Sequence, residues 1–156
     1  MRIQGMFRVV VISLCVLALA VSGVKAQEIR DSQNRLAYRV SEDGAVRSPQ
    51  NILLWRIQGD GAVKSAQNLL LMRLMENGRV VSASNTLLGR IQPDGTVWTA
   101  INKKLGRVTA KGRIISPQNV LLGKTSGIER ETVALIWFLL RPQREGAEME
   151  KGSPDG

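Results

Sequence analysis

A basic residue recurs every 17 positions through the middle of the chain: Arg39, Arg56, Arg73, Arg90, Arg107 and Lys124. If the repeated units are arranged around an axis, these side chains stand at one height. Guanidinium groups in such a ring can bind sulfate, phosphate or carboxylate through paired hydrogen bonds. The alternative is a solvated outer edge that keeps the protein soluble and blunts association between strand edges. This basic column is the candidate anion-binding site, and both interpretations of it stay open.

Residues for catalysis or metal binding are sparse. The chain has no histidine, and its single cysteine, Cys15, lies in the N-terminal segment, so the commonest bases and nucleophiles are missing from the remainder. Asp43, Asp60 and Asp94 each precede a glycine, where a hydrogen bond to the local backbone explains an aspartate. No loop gathers oxygen ligands at the spacing that calcium needs. We therefore expect no catalytic residue, no metal and no cofactor. An enzyme of unrecognised type is the alternative.

The basic column belongs to a repeat that covers most of the chain. Turn dipeptides recur at intervals of 17 residues without insertion: Asp43-Gly44, Asp60-Gly61, Asn77-Gly78, Asp94-Gly95 and a degenerate Lys111-Gly112. An asparagine column has the same period: Asn34, Asn51, Asn68, Asn85, Asn102 and Asn119. So does a column of valine and isoleucine: Ile29, Val46, Val63, Val80, Val97 and Ile114. Matching columns at a fixed interval are typical of a repeat architecture.

Each unit contains two short β-compatible runs, such as Ala45–Ser48 and Leu53–Ile57. Asp-Gly and Asn-Gly favour a type I′ turn, whereas the second turn, read as "SPQN", favours a left-handed asparagine at its end. The pattern predicts an all-β chain of hairpins that alternates two turn types. One hairpin is marginal in water, but five or six can share a core.

Two stretches, "DGTVWTAINKKLGRV" at 94–108 and "GRIISPQNVLLGK" at 112–124, resemble the repeat of the 5-fold β-flower proteins, D-G-T-V-R-D-S-N-G-R-T-I-G-K-I. The resemblance spans Glu28 to Leu140 and includes an apolar segment after the last repeat, Val133–Leu140. It implies a closed radial arrangement of hairpins and no particular biochemical activity.

The order of the turns leaves the symmetry open, because there are five glycine turns but six asparagine turns. Five hairpins around the glycine turns suit a five-fold flower. A strand near Ile29–Asp31 could pair with one near Leu121–Thr125 and close the ring, and a small open β-solenoid is the alternative. Val133–Leu140 is expected to plug the core as a strand or a short helix.

One column changes size along the chain: Tyr38, Trp55, Met72, Gly89, Gly106 and Gly123. Such a gradient could create an asymmetric pocket or serve the packing of the core, and we favour packing.

The two ends differ from the repeat domain at 27–140. Residues 1–26 place Arg2 and Arg8 before an apolar run, Val9–Val21, and end on Val24-Lys25-Ala26, which is the order of a secretory signal peptide. That run is too short for a comfortable membrane span of about 20 residues. An uncleaved anchor is the alternative. Residues 141–156 are polar with Pro and Gly, so we expect a disordered tail.

The predicted export of the protein determines which polyanions its net positive charge can meet. Cleavage after Ala26 removes three basic residues and lowers the formal charge from +9 to +6. In an exported protein the accessible polyanions are surface glycans and lipid headgroups rather than nucleic acid. The sequence therefore predicts a secreted, periplasmic or cell-envelope protein with no stable membrane span after cleavage. Its expected role is a non-enzymatic structural or binding module, whose partner is an anionic surface glycan or another envelope component.

Overall fold

The computed structural model describes residues 27–145, which form a closed barrel of twelve short antiparallel strands. The strands are β1 Gln27–Asp31, β2 Leu36–Val40, β3 Ala45–Arg47, β4 Leu53–Ile57, β5 Ala62–Ser65, β6 Leu70–Leu74, β7 Arg79–Ser82, β8 Leu87–Ile91, β9 Thr96–Thr99, β10 Lys104–Val108, β11 Arg113–Ile115 and β12 Leu121–Thr125. Each strand pairs with its neighbours in sequence, as expected for a chain of hairpins. The predicted all-β hairpin repeat is confirmed.

The ring closes where the sequence analysis expected it to close. β1 pairs with β12 in antiparallel register, with Ile29 opposite Thr125 and Arg30 opposite Lys124. The described strands therefore have no free edge, and the open solenoid is excluded. They form six hairpins around the six asparagine turns, from β1–β2 to β11–β12, so the ring has six units rather than five.

Both kinds of turn have the same backbone geometry. The Gly44 N–H donates to Ser41 O at 2.9 Å, and the Asn51 N–H donates to Ser48 O at 2.9 Å. In each case the loop ends on one left-handed residue, with φ of +82° at Gly44 and +66° at Asn51. A type I′ turn needs two consecutive residues with positive φ, and Asp43 does not have one. The type I′ prediction is wrong, whereas the left-handed asparagine is confirmed at all six positions.

Each unit also contains a β-bulge that the sequence analysis did not identify. Val46 lies opposite Trp55 and Arg47 lies opposite Leu53, which leaves Leu54 without a partner. The same position is skipped in the other units, at Ala37, Leu71, Leu88, Leu105 and Leu122. All six residues pack against the core. Because a bulge bends its strand and increases the local twist, the repeated bulge supplies curvature that closes the ring.

A helix occupies the interior of the barrel. It begins as α1, Arg130–Ala134, and continues as a π-helix, Leu135–Leu140. The eight consecutive residues Val133–Leu140 are all buried. A helix packed against one surface buries only a stripe, so barrel residues must surround this one on all sides. The predicted plug is confirmed as a helix. Residues 141–145 are also helical and do not belong to the predicted disordered tail.

The column that changes size packs against this helix. Tyr38, Trp55 and Met72 fill one side of the interior. On the other side, the column residues are glycines: a Cβ added to Gly106 would lie 2.5 Å from Phe138 Cζ. Equivalent atoms on Gly89 and Gly123 would lie 3.4 Å from Leu139 Cδ2 and 3.3 Å from Trp137 Cη2. The gradient therefore serves packing.

The predicted signal peptide, residues 1–26, and the rest of the predicted tail, residues 146–156, lie outside the described residues. Within 27–145, no helix is both long enough and apolar enough to cross a membrane.

Candidate anion-binding surface

The basic column lies on the outer surface of the barrel. Side chains alternate along a strand, so Arg56 points outward because Trp55 beside it is in the core. Arg39 is half-buried, and the other five members are exposed. Column residues occupy alternate strands, which places them about 10 Å apart at the backbone. They surround the barrel at one height but point away from its axis, so a single anion can meet neighbouring residues but not all six.

Ion pairs divide the column into two parts. The Arg39 Nε lies 3.9 Å from Glu28 Oε1, and the Arg56 Nη1 lies 3.8 Å from Asp43 Oδ2. No carboxylate oxygen of residues 27–145 comes within 4.0 Å of the charged nitrogens of the other four, Arg73, Arg90, Arg107 and Lys124. The part of the barrel from β6 to β12 therefore carries the less compensated charge.

The strand register sets like charges directly opposite each other. Arg79 on β7 is opposite Arg90 on β8, and Lys124 on β12 is opposite both Arg30 on β1 and Arg113 on β11. Further pairs are Arg39 with Arg47 and Arg56 with Lys64. Like charges in this position are destabilising. Arg30, Arg79 and Arg113 were not predicted as neighbours of the column, because their proximity to it depends on the pairing register.

A cleft of about 570 Å³ lies where β1 meets β12, and we call it the seam cleft. Its cationic residues are Arg30, Lys111, Arg113 and Lys124. Glu28 also lines it, and Glu28 Oε2 accepts hydrogen bonds from Arg30 Nε at 3.1 Å and Nη2 at 2.6 Å. Since this carboxylate is engaged by Arg30, three of the four cations remain to attract an anion.

The seam cleft is one end of a longer track. We define the basic arc as five cations, Arg30, Lys124, Arg113, Arg107 and Arg90; Trp98 on β9 lies between the last two, so that these six side chains follow six neighbouring strands. Each residue is either directly opposite the next or diagonal to it across one strand gap. Five gaps of ~4.8 Å give the arc a length of about 24 Å. The arc can therefore contact several charged groups of an extended polymer at once.

The acidic side chains lie mainly at one end of the barrel. Asp60, Glu76, Glu129 and Glu131 line a cavity of about 560 Å³ between glycine turns and the start of α1. The carboxylates of the glycine turns have local roles: Asp94 Oδ1 accepts a hydrogen bond from the Thr96 N–H at 2.9 Å. That bond, supported by Arg107 and Arg130, lowers the pKa of Asp94. Within 27–145, no group of three carboxylates is placed to hold a metal ion.

No protein-family model, no curated protein and no solved structure matches the chain. The resemblance to the 5-fold β-flower proteins therefore stays a prediction.

Proposed function

We propose that this protein is a non-enzymatic binding module that holds an anionic glycan along the basic arc. The observation that supports the proposal is the strand register that sets Lys124 on β12 directly opposite Arg113 on β11, two cations without an ion-pair partner among residues 27–145.

Residues directly opposite each other in an antiparallel pair have Cβ atoms about 5 Å apart. At that distance the repulsion between two cations opposes folding, and an anion between them turns the repulsion into attraction. Arginine is suited to this role because its guanidinium binds carboxylate or sulfate through two parallel hydrogen bonds. A polymer with repeated charges satisfies several such pairs, whereas a small anion occupies only one.

The proposed location is the cell envelope or the exterior, which rests on the predicted signal peptide. In that location, sulfated, phosphorylated or uronate-bearing glycans are the polyanions that the arc meets. The same location disfavours nucleic acid as the partner.

The test compares two double variants with equal loss of charge. Arg113→Gln with Lys124→Gln alters the seam cleft, whereas Arg39→Gln with Arg56→Gln removes column residues that have carboxylate partners. Binding to immobilised dextran sulfate, with neutral dextran as the blank, should fall about tenfold for the first pair and much less for the second, since paired cations contribute less. Binding by the parent should weaken steeply between about 50 and 200 mM salt.

Thermal melts provide the control for folding. Both double variants should melt cooperatively, because the altered side chains lie on the outer surface. Equal losses from both pairs would mean that only net charge matters and would contradict the arc. A parent protein that binds no dextran sulfate at low salt would overturn the proposed function.

A further inference from the structure

Trp98 differs from the other two tryptophans of the chain. Trp55 and Trp137 are core residues with 6% exposure each, whereas Trp98 lies on the outer face of β9 and is only partly buried. The equivalent position holds a residue without a ring in every other unit: Arg30, Arg47, Lys64, Val81 and Ile115. The repeat pattern therefore does not require an aromatic residue here.

The indole has polar and charged neighbours. Arg90 lies directly opposite on β8, and Lys104 lies directly opposite on β10. Arg90 Nη2 donates a hydrogen bond to Asn102 Oδ1. A cavity of about 290 Å³ is lined by Trp98, Arg90, Asn102 and Gln92, and we call it the Trp98 pocket.

The indole nitrogen of Trp98 has no hydrogen-bond acceptor. Among the described residues, Trp98 Nε1 is the one buried side-chain nitrogen or oxygen without a partner. Buried polar atoms are nearly always paired, so an unpaired donor needs an explanation. Arg90 is exposed, and its long side chain can swing away from Asn102. A ligand oxygen that entered the pocket could then accept the indole N–H.

We propose that the Trp98 pocket is a subsite for one acidic sugar unit, a pyranose that carries a carboxylate. The inference rests on the proposed function and specifies its ligand class. The indole face stacks on the apolar face of the sugar ring, and Arg90 binds the carboxylate through two hydrogen bonds. The amides of Asn102 and Gln92 each offer a donor and an acceptor, which suits hydroxyl groups. From this subsite the polymer follows the basic arc to the seam cleft.

Quenching of tryptophan fluorescence by acrylamide tests the stacking directly, because Trp98 is the partly exposed tryptophan of the three. The probes are an oligomer of galacturonic acid and an inorganic polyphosphate of similar charge. The uronate oligomer should protect Trp98 from acrylamide. Polyphosphate should bind the arc without protecting it. Binding of the uronate oligomer without protection would overturn the subsite.

Two variants separate the ring from its N–H. Trp98→Val places there the residue that Val81 supplies at the equivalent position, so the fold should tolerate it, and a thermal melt checks this. Its affinity for the uronate oligomer should fall about tenfold, the size of one lost aromatic stacking contact. Its affinity for polyphosphate should not change. Trp98→Phe keeps a ring and should lose less.

The outcomes distinguish the two proposals. If the parent binds neither probe, the proposed function itself is wrong. If the parent binds both probes and Trp98→Val binds the uronate oligomer equally well, the arc remains a polyanion site and the sugar subsite is wrong. If Trp98→Val loses affinity equally for both probes, the indole supports the arc without recognising a sugar, which also overturns the subsite.

Discussion

Each hairpin turn depends on one left-handed residue and one side chain that binds the turn backbone. In the asparagine turns, Ser48 Oγ accepts a hydrogen bond from the Ile52 N–H at 3.2 Å. In the glycine turns, Asp60 Oδ1 accepts one from the Ala62 N–H at 3.0 Å. These local bonds explain why hydroxyl, carboxyl and amide side chains recur in columns. The recurrence reflects turn chemistry, so it does not by itself indicate a binding site.

Gly61→Val should destabilise the protein by about 3 kcal/mol, because a β-branched residue is strained at positive φ. The φ of Gly61 is +87°, and an added Cβ would overlap Leu74 O. Gly59→Val in the same turn is the control, since nothing lies within 4 Å of an added Cβ at Gly59. Urea unfolding measures both free energies. Equal tolerance at the two positions would contradict the turn geometry.

Asp94→Asn should reduce the loss of stability in acid. The hydrogen bond from Thr96 lowers the pKa of Asp94 from its ordinary value of 3.8. A carboxyl with a lowered pKa stabilises the fold while it is ionised, and this contribution disappears as the pH falls through the folded-state pKa. Asn77 accepts the equivalent bond from the Arg79 N–H at 3.2 Å, so an asparagine in place of Asp94 should preserve the turn.

Thermal melts from about pH 5 to pH 2 check this prediction, because the pKa of Asp94 lies below its ordinary value of 3.8. At neutral pH the parent should melt at a slightly higher temperature than Asp94→Asn, because the ionised carboxylate also attracts Arg107 and Arg130. This difference should disappear on acidification. If the melting temperatures of the two proteins fell equally between about pH 5 and pH 2, Asp94 would contribute nothing to the pH dependence of stability.

At the scale of elements, the helix and the barrel complete each other. The barrel alone would enclose an empty interior, and a helix that is apolar on all sides has no stable place in water. At the start of α1, Arg130 Nη2 donates to Pro93 O at 2.9 Å, which ties the helix to a glycine turn. Toward the other end, the guanidinium of Arg141 stacks over the indole of Trp137, with Arg141 Cζ 4.5 Å from the ring centroid. Between these two contacts, the position of the helix in the ring is set by packing: its large side chains lie against the glycines of the column that changes size.

Gly106→Ala tests that complementarity, because its Cβ would lie 2.5 Å from Phe138 Cζ. The same Cβ would lie 2.4 Å from Ile115 O at a φ of +153°, so part of the cost is backbone strain that residue 138 does not affect. We expect a loss of about 3 kcal/mol from overpacking and strain together. Phe138→Leu should relieve part of this clash, so the double variant should be less destabilised than the sum of the single variants. A double-mutant cycle from urea unfolding measures the coupling. Strict additivity would mean that the two residues do not constrain each other.

At the scale of the whole molecule, the number of repeats sets the width of the ring. An α-helix with its side chains is about 10–12 Å across, and barrel diameter grows with strand number. Twelve strands enclose the helix here. The same closure brings the first and last strands together and so creates the seam cleft.

Deletion of residues 62–78 removes one 17-residue unit and joins Gly61 to Arg79. The remaining ten strands should form too narrow a ring for the helix, so we expect cooperative thermal unfolding to be lost. Calorimetry and near-ultraviolet circular dichroism measure this. A shortened protein that still melts sharply would contradict a closed ring around a helix, because an open repeat array loses stability in proportion to its length.

The sequence by itself determined the local features of the fold. The 17-residue period, the hairpins and the left-handed asparagines such as Asn51 follow from turn chemistry, which acts within four or five residues. The period also predicted the basic column, and the apolar run Val133–Leu140 predicted the plug. The glycine turn type was assigned wrongly because Asp-Gly suits more than one turn, and the choice depends on how the flanking strands twist.

Only the tertiary structure decided the six-fold count, the bulges and the surroundings of the basic column. These features depend on which strands pair and in what register, and pairing joins distant parts of the chain: Thr125 Oγ1 donates to Glu28 O across 97 residues of sequence. Arg30 and Lys124 become neighbours through that closure. Trp98 lies opposite Arg90 because of the register between β8 and β9. The column was predictable because it repeats along the sequence, whereas the arc was not, because it crosses strands.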